Sequence, residues 1–127
     1  MIKKRQTPQR RVIDAVFRQS KRPLSIDEVL AFARKQLGSM DPSTVYRNLS
    51  RMVDEGFLKR ISLPSKGVFY ELAQRDHHHH FLCQHCDKAF ELPGCGLNQE
   101  QLAPSGFQVE NHDVFLYGAC PECSNPR

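Results

Sequence analysis

Two Cys-x-x-Cys pairs constrain the fold of this chain more than any other feature of its sequence. They are Cys83-Gln84-His85-Cys86 and Cys120-Pro121-Glu122-Cys123, and 33 residues separate them. Four thiolates in two close pairs are typical of tetrahedral zinc. The separation exceeds that of a compact zinc ribbon, so a helix and strands fit between the pairs. The spacing predicts a structural zinc site at Cys83, Cys86, Cys120 and Cys123 in a small α/β domain.

A thioredoxin-like redox pair is the alternative interpretation of a Cys-x-x-Cys sequence. It accounts for one pair but not for two, and no βαβ pattern precedes either pair. No His-Glu-x-x-His motif and no Ser/Cys-His-Asp arrangement can be assembled from the sequence. We therefore expect no catalytic residues and no small-molecule substrate, with a zinc-bound thiol-redox enzyme as the rival class.

Charge divides the chain into two parts. Residues 1–72 contain 15 Lys and Arg against 7 Asp and Glu, whereas residues 73–127 contain 3 against 7. All five cysteines and all six histidines lie in the second part. A basic part favours nucleic acid, because neutralised phosphates release counterions. We predict a DNA-binding domain over 1–72 and a metal-binding domain over 73–127.

The sequence gives no sign of a membrane or secretory segment. No apolar run of 18 residues exists, so we expect no membrane span, and the basic N-terminus lacks the apolar stretch of a signal peptide. A cytoplasmic location follows as the expectation. In that compartment, cysteines indicate metal binding or redox chemistry more than structural disulfides.

The first part reads as three short helices and a hairpin. Thr7-Pro8, Ser25 and Asp41-Pro42-Ser43 are typical helix starts, and Gly38 ends the second helix, whose apolar stripe runs to Leu37. Strands are predicted over 57–61 and 68–72, with a turn between them. This order is typical of a winged helix-turn-helix, whose third helix enters the major groove of DNA.

The third helix has a polar side suited to phosphates and base edges. Thr44, Tyr46 and Arg47 are the candidates for base and phosphate contact, while residues outside this helix are expected mainly to contact the DNA backbone. The full set of candidate DNA-binding residues is Arg10, Ser43, Thr44, Tyr46, Arg47, Asn48, Lys59 and Arg60.

Four consecutive histidines, His77–His80, precede the first cysteine pair. Successive side chains of a strand point to opposite faces, so His77 and His79 form one pair and His78 and His80 the other. Each pair needs further ligands, for which Glu71, His112, Glu100 and Cys95 are candidates. The sequence leaves Cys95 open between a buried small residue, a reactive thiol and a soft metal ligand.

The remaining segments predict a short helix over 97–102 and strands over 107–110 and 114–117. Together with the winged helix, they give an α+β chain: an N-terminal winged helix-turn-helix followed by a small α/β zinc-containing dimerisation domain.

Several of these motifs together resemble the ferric uptake regulator (Fur) superfamily, with its zinc uptake regulator branch as one possibility. The motifs are Thr7-Pro8-Gln9-Arg10, the segment Ser43–Leu49, the histidine run before Cys-x-x-Cys, Asn111-His112 and Leu116-Tyr117-Gly118. The resemblance runs over essentially the whole chain. It implies a homodimeric repressor that binds palindromic double-stranded operators when a divalent metal is bound.

The resemblance also implies two regulatory ligand sets. Glu71, His78 and His80 match one set, but Pro23 replaces the N-terminal ligand that the family often has there. His77, His79 and His112 match the other, with Glu100 as the nearest candidate for its acidic position.

The sensor metal follows from ligand softness. Imidazole-rich sites and a nearby sulfur favour zinc, whereas nitrogen and oxygen ligands suit Fe²⁺. We expect Zn²⁺ as the structural ion and Zn²⁺ or Fe²⁺ as the regulatory ion, with an iron-sensing or peroxide-sensing regulator as the alternative. A zinc-ribbon module that binds protein and not DNA is a further rival class.

Overall fold

The computed structural model describes residues 7–74 and 77–124. The chain divides into two compact units, Met1–Gln74 and Arg75–Arg127. Within the described ranges, no helix combines the length and the apolar character that crossing a bilayer requires.

Three helices form the body of the first unit: α1 (Pro8–Ser20), α2 (Ile26–Leu37) and α3 (Pro42–Asp54). They begin where the sequence predicts. The Thr7 hydroxyl accepts from the backbone N–H of Arg10, and Ser25 with Glu28 forms a capping box on α2, which satisfies N–H groups that have no partner within the helix. Gly38 ends α2 with φ 82°, a conformation that glycine adopts without strain.

The core of the first unit is apolar and continuous. Its buried side chains come from all three helices, both wing strands and the segments that join the helices. They are Ile13, Val16, Phe17, Leu24, Val29, Leu30, Ala33, Met40, Val45, Leu49, Met52, Leu58 and Tyr70. Leu37 departs from the predicted stripe of α2, because the last turn of the helix passes beyond this core. Its side chain is 38% exposed and lines an open groove together with Phe32.

A hairpin follows the helices. Strands β1 (Leu58–Leu63) and β2 (Gly67–Leu72) pair antiparallel, with Leu58 opposite Leu72 and Leu63 opposite Gly67. Two backbone hydrogen bonds of 2.8 Å between Leu24 and Tyr70 tie the hairpin to the segment between α1 and α2. This is the predicted winged helix-turn-helix.

The second unit is a three-stranded sheet in the order β4-β3-β5. The central strand β3 (His79–Cys83) pairs antiparallel with β4 (Ala89–Leu92) and parallel with β5 (Phe115–Gly118). Two one-turn helices complete it, α4 (Gln99–Leu102) and α5 (Pro121–Ser124). The arrangement confirms the small α/β class predicted for this part.

The strand predicted over 107–110 is wrong. These residues form no strand and all are exposed, because β4 and β5 already occupy both edges of β3. Phe107 and Val109 alternate with polar neighbours, but among the described residues no strand pairs with this segment.

Truncating the fully buried Leu49 to alanine should lower the free energy of unfolding by about 2–5 kcal/mol, because it leaves a cavity in the core. Leu37→Ala is the matched control, and its cost should stay near ~0.5 kcal/mol because Leu37 is partly solvated. Urea unfolding at fixed zinc concentration measures both. Equal costs would contradict the core described here.

Candidate metal centres

The four cysteines of the two Cys-x-x-Cys pairs meet at one end of the sheet. Their sulfur atoms all lie within 4.8 Å of one another, and Cys86 Sγ is 3.8 Å from Cys120 Sγ. Cys83 is the last residue of β3, and Cys120 immediately precedes α5. The parallel β3–β5 pairing places these two positions side by side, since Cys83 is the register partner of Gly118. Four converging thiols are a ligand set for tetrahedral zinc.

The electrostatics of this cluster favour one anionic sulfur. Burial disfavours the Cys83 thiolate, but backbone N–H groups of Cys86, Cys120 and His85 donate to its sulfur and lower its pKa to about 6. The Cys120 and Cys83 thiols in turn raise the pKa of Cys123 to about 12. Without a cation, the crowded sulfurs oppose one another's ionisation, so a bound Zn²⁺ would stabilise the thiolates that burial alone disfavours.

A second cluster joins one face of β3 to two loops. His77 Nε2 lies 3.1 Å from His79 Nε2 and 3.3 Å from His112 Nε2. Cys95 Sγ lies 3.1 Å from both His79 Nε2 and His112 Nε2. All four ligand atoms are within 4.8 Å of one another. Such separations are close to those that metal–ligand bonds of about 2.0–2.3 Å produce around a tetrahedral ion.

Neighbouring groups bind the outer nitrogens of two of these rings. His112 Nδ1 is 2.8 Å from Gln99 Oε1, whereas His79 Nδ1 is 3.2 Å from the backbone N–H of Val114. Burial, together with His77 and His112, lowers the pKa of His79, so this ring stays neutral at lower pH than an ordinary histidine. A neutral ring is the form that a metal can bind.

Cys95 completes this cluster, and Glu100 is not one of its four members. Glu100 lines a cavity of about 630 Å³ that adjoins His77 and His112.

The sequence leaves the role of Cys95 open, but it contains a signal that places Cys95 near His79. The hairpin formed by β3 and β4 turns at the first cysteine pair and sets Leu92 opposite His79. A residue shortly after Leu92 can therefore reach the face of β3 on which His79 lies. Gly94, with φ 73°, lets the loop make that return.

The opposite face of β3 carries the other histidine pair. The rings of His78 and His80 have centroids 4.9 Å apart, and His78 Nε2 is 3.5 Å from the Glu91 carboxylate. Sequence reasoning missed Glu91, although the same hairpin register sets it opposite His80. The run of four histidines is thus sorted into the two predicted pairs.

Glu71, the carboxylate predicted for the His78 and His80 set, lies on β2 of the first unit. Lys59 Nζ is 3.6 Å from its Oε1 atom. Its role as a metal ligand stays a prediction.

Tyr46 and Arg47, two of the residues predicted to contact DNA, are exposed on α3. Tyr46 is 52% exposed, and Arg47 is exposed with its guanidinium 3.3 Å from the Thr44 hydroxyl. The Asn48 amide instead donates to the Thr44 carbonyl at 2.9 Å, and the Ser43 hydroxyl donates to Asp41. Their contacts to DNA, and those of Ser43, Thr44 and Asn48, stay predictions.

The predicted backbone-contacting cations are engaged within the first unit. Arg10 pairs with Glu55 at 2.6 Å, leaving its side chain 16% exposed, and its guanidinium lies over the Phe57 ring. Arg60 donates to the Ser50 hydroxyl and lies over Tyr70. Their contacts to DNA stay predictions.

A winged helix followed by a small unit that gathers thiols and imidazoles into separate clusters is the architecture of a metal-responsive DNA-binding protein. The family model described as "Ferric uptake regulator family" matches residues 2–117. The chain belongs to this family, and its membership supports a transcription regulator rather than an enzyme.

Individual relatives agree on the family but differ in their named roles. The chain is 28% identical to the "Ferric uptake regulation protein" of Bordetella parapertussis over 94% of this chain and 88% of the relative. It is 31% identical to the "Peroxide operon regulator" of Bacillus subtilis over 93% and 83%. A solved "zinc-bound manganese uptake regulator" is 28% identical with a TM-score of 0.81, covering 92% of this chain and 91% of that one.

Replacing Cys95 with serine should remove the sulfur from the second cluster and abolish tight binding of an exchangeable zinc. The zinc of the four-cysteine site should remain. Metal content after mild chelation and reloading, measured by native mass spectrometry, tests this. Glu100→Gln is the matched control and should retain the exchangeable zinc. Loss in the control but not in Cys95→Ser would make Glu100 the ligand.

Proposed function

We propose that this protein is a metal-dependent transcriptional repressor whose sensor metal is zinc. In this proposal, Cys83, Cys86, Cys120 and Cys123 hold a permanent structural zinc, and His77, His79, Cys95 and His112 hold the exchangeable one. The observation that carries the proposal is the convergence of three imidazole nitrogens and one sulfur, which are joined by four contacts of 3.1–3.3 Å.

The sulfur of Cys95 favours zinc over iron. Fe²⁺ prefers nitrogen and oxygen ligands and commonly accepts more than four, whereas a compact set of three nitrogens and one sulfur suits tetrahedral Zn²⁺. The names of the relatives do not distinguish zinc from iron as the sensor metal, since they include iron, peroxide and manganese regulators. An iron- or peroxide-sensing member of the same family is the alternative.

His78 and His80 support a further regulatory ion. Glu91 adds a carboxylate to these two imidazoles within the second unit. This nitrogen and oxygen set is harder than the cluster that contains Cys95, so we propose that it binds its ion more weakly and with less preference for zinc.

Exposed apolar side chains in the second unit support a homodimer. Leu102 is 68% exposed and Phe107 is 70% exposed, while Leu116 and Tyr117 on β5 are 49% and 46% exposed. β5 is also an edge of the described sheet, and edge strands with exposed apolar side chains favour association. A second copy of this chain on that surface would make a two-fold symmetric reader of a palindromic DNA operator in the cytoplasm.

Metal binding would act by selecting one arrangement of the dimer. If only a fraction of the metal-free protein presents its two recognition helices at the half-site spacing, its apparent operator affinity falls by that fraction. Zinc removes the penalty when it binds the competent arrangement more tightly than the others.

Operator binding should therefore depend on zinc. DNA duplexes selected from a randomised library by the zinc-loaded protein would serve as probes in fluorescence anisotropy. We expect tight binding with zinc, weak binding after removal of the exchangeable metal, and recovery when zinc is restored. Recovery with Fe²⁺ but not Zn²⁺ would favour the iron alternative. Absence of DNA binding in every metal state would favour the zinc-ribbon module or the thiol-redox enzyme.

Arg47→Ala should weaken binding to the selected duplex by about 1–3 kcal/mol if the guanidinium reads a base edge, and leave metal content and dimerisation unchanged. Arg18→Ala is the charge-matched control, because Arg18 is exposed on α1 and pairs with Asp14. Equal losses for the two variants would mean that net charge matters and that α3 is not the reader.

A further inference from the structure

We propose that Gln99 is a positioning residue for the second metal site and acts through His112. This inference rests on the proposed function of the cluster formed by His77, His79, Cys95 and His112. It adds a residue outside the ligand set that determines which nitrogen of one ligand faces the ion.

The geometry fixes the required proton arrangement. His112 Nε2 faces the cluster, 3.1 Å from Cys95 Sγ and 3.3 Å from His77 Nε2. A neutral ring can offer the lone pair of Nε2 only when its proton is on Nδ1. The side-chain oxygen Oε1 of Gln99 is 2.8 Å from Nδ1 and accepts a hydrogen bond from the Nδ1 proton. This contact stabilises the tautomer that binds metal.

The backbone of Gln99 is itself held in place. Gln99 is the first residue of α4, and its carbonyl accepts from the Ala103 N–H at 3.1 Å. The Asn98 side chain caps the same helix by accepting from the Glu100 N–H at 3.2 Å. The half-buried Gln99 side chain therefore reaches His112 from a fixed base rather than from a free loop.

His79 shows why this contact matters. Its Nδ1 faces a donor, the Val114 N–H at 3.2 Å, so in the metal-free ring that hydrogen bond uses the Nδ1 lone pair and favours a proton on Nε2. Binding of an ion at Nε2 would require that proton to move to Nδ1 and the hydrogen bond from Val114 to be given up. The outer partner of His79 thus opposes the tautomer that Gln99 supports at His112. Of these two rings, His112 is the one that its outer partner holds in the metal-binding tautomer. The readiness of the cluster to bind an ion therefore depends on the hydrogen bond between Gln99 and His112.

A series at one position separates this role from simple packing. Gln99→Met keeps the length of the side chain but has no strong acceptor, whereas Gln99→Glu keeps an acceptor oxygen. Gln101→Met is the matched control on an exposed position of the same helix. The full-length protein, with the four-cysteine site loaded, would be titrated with zinc against a chromophoric chelator.

We expect Gln99→Met to bind the exchangeable zinc about 10–100-fold more weakly, and Gln99→Glu and Gln101→Met to bind at least as tightly as wild type. Nitrogen-15 NMR of the zinc-loaded protein supplies a second readout. The Nδ1–H signal of His112 should be visible in wild type and Gln99→Glu, and lost through rapid exchange in Gln99→Met. A change in packing alone would not be reversed by the glutamate.

Two results would overturn the inference in different ways. If Gln99→Met keeps both wild-type zinc affinity and the protected Nδ1–H signal, Gln99 has no positioning role although the metal site stands. If wild-type protein binds no exchangeable zinc, and Cys95→Ser leaves its metal content unchanged, the proposed site itself is wrong and the role of Gln99 falls with it.

Discussion

Alternation of side chains along β3 determines which ligands of the second unit can meet. The strand is the centre of its sheet and carries His79 and His80 on opposite faces, with His77 and His78 continuing the alternation before it. It ends at Cys83, the first sulfur of the thiol cluster. Three groups of potential ligands therefore share one short strand, and a one-residue shift in its register would exchange the two histidine pairs.

Metal ions would supply much of what the second unit lacks in apolar core. The continuous hydrophobic cluster lies entirely in the first unit. In residues 77–124, the buried apolar side chains are those of Leu82 and Ala89, together with the sulfurs of Cys83 and Cys120. A unit with so little buried apolar area needs cross-links, and metal binding adds directly to its folding free energy. An ion bound by Cys95 and His112 would act in the same way. It would join the irregular segment after β4 and the segment before β5 to the strand β3.

Sequence patterns predicted what depends on local chemistry. Thr7 and Ser25 cap their helices because a hydroxyl before a helix satisfies free N–H groups, and the two histidine pairs follow from the period of a strand. The predicted strand over 107–110 failed because alternation does not say whether a sheet edge is available. The sequence leaves the role of Cys95 open because the return of a glycine-flanked loop depends on the register of β3 with β4. The role of Glu100 as a ligand stays a prediction.

The proposed difference between a permanent and an exchangeable ion would follow from surroundings more than from sulfur content. Cys83 and Cys120 are buried, whereas Cys86 is exposed and Cys123 is half-buried. Backbone N–H groups stabilise the Cys83 thiolate before any ion arrives, so the two buried sulfurs restrict the approach of a competing ligand to an ion at this cluster. The cluster with Cys95 has one sulfur, an exposed His77 and an adjoining cavity of about 630 Å³. A competing ligand can approach that ion without unfolding the sheet. A sensor requires exchange, and we propose the second cluster rather than the first as the site that provides it.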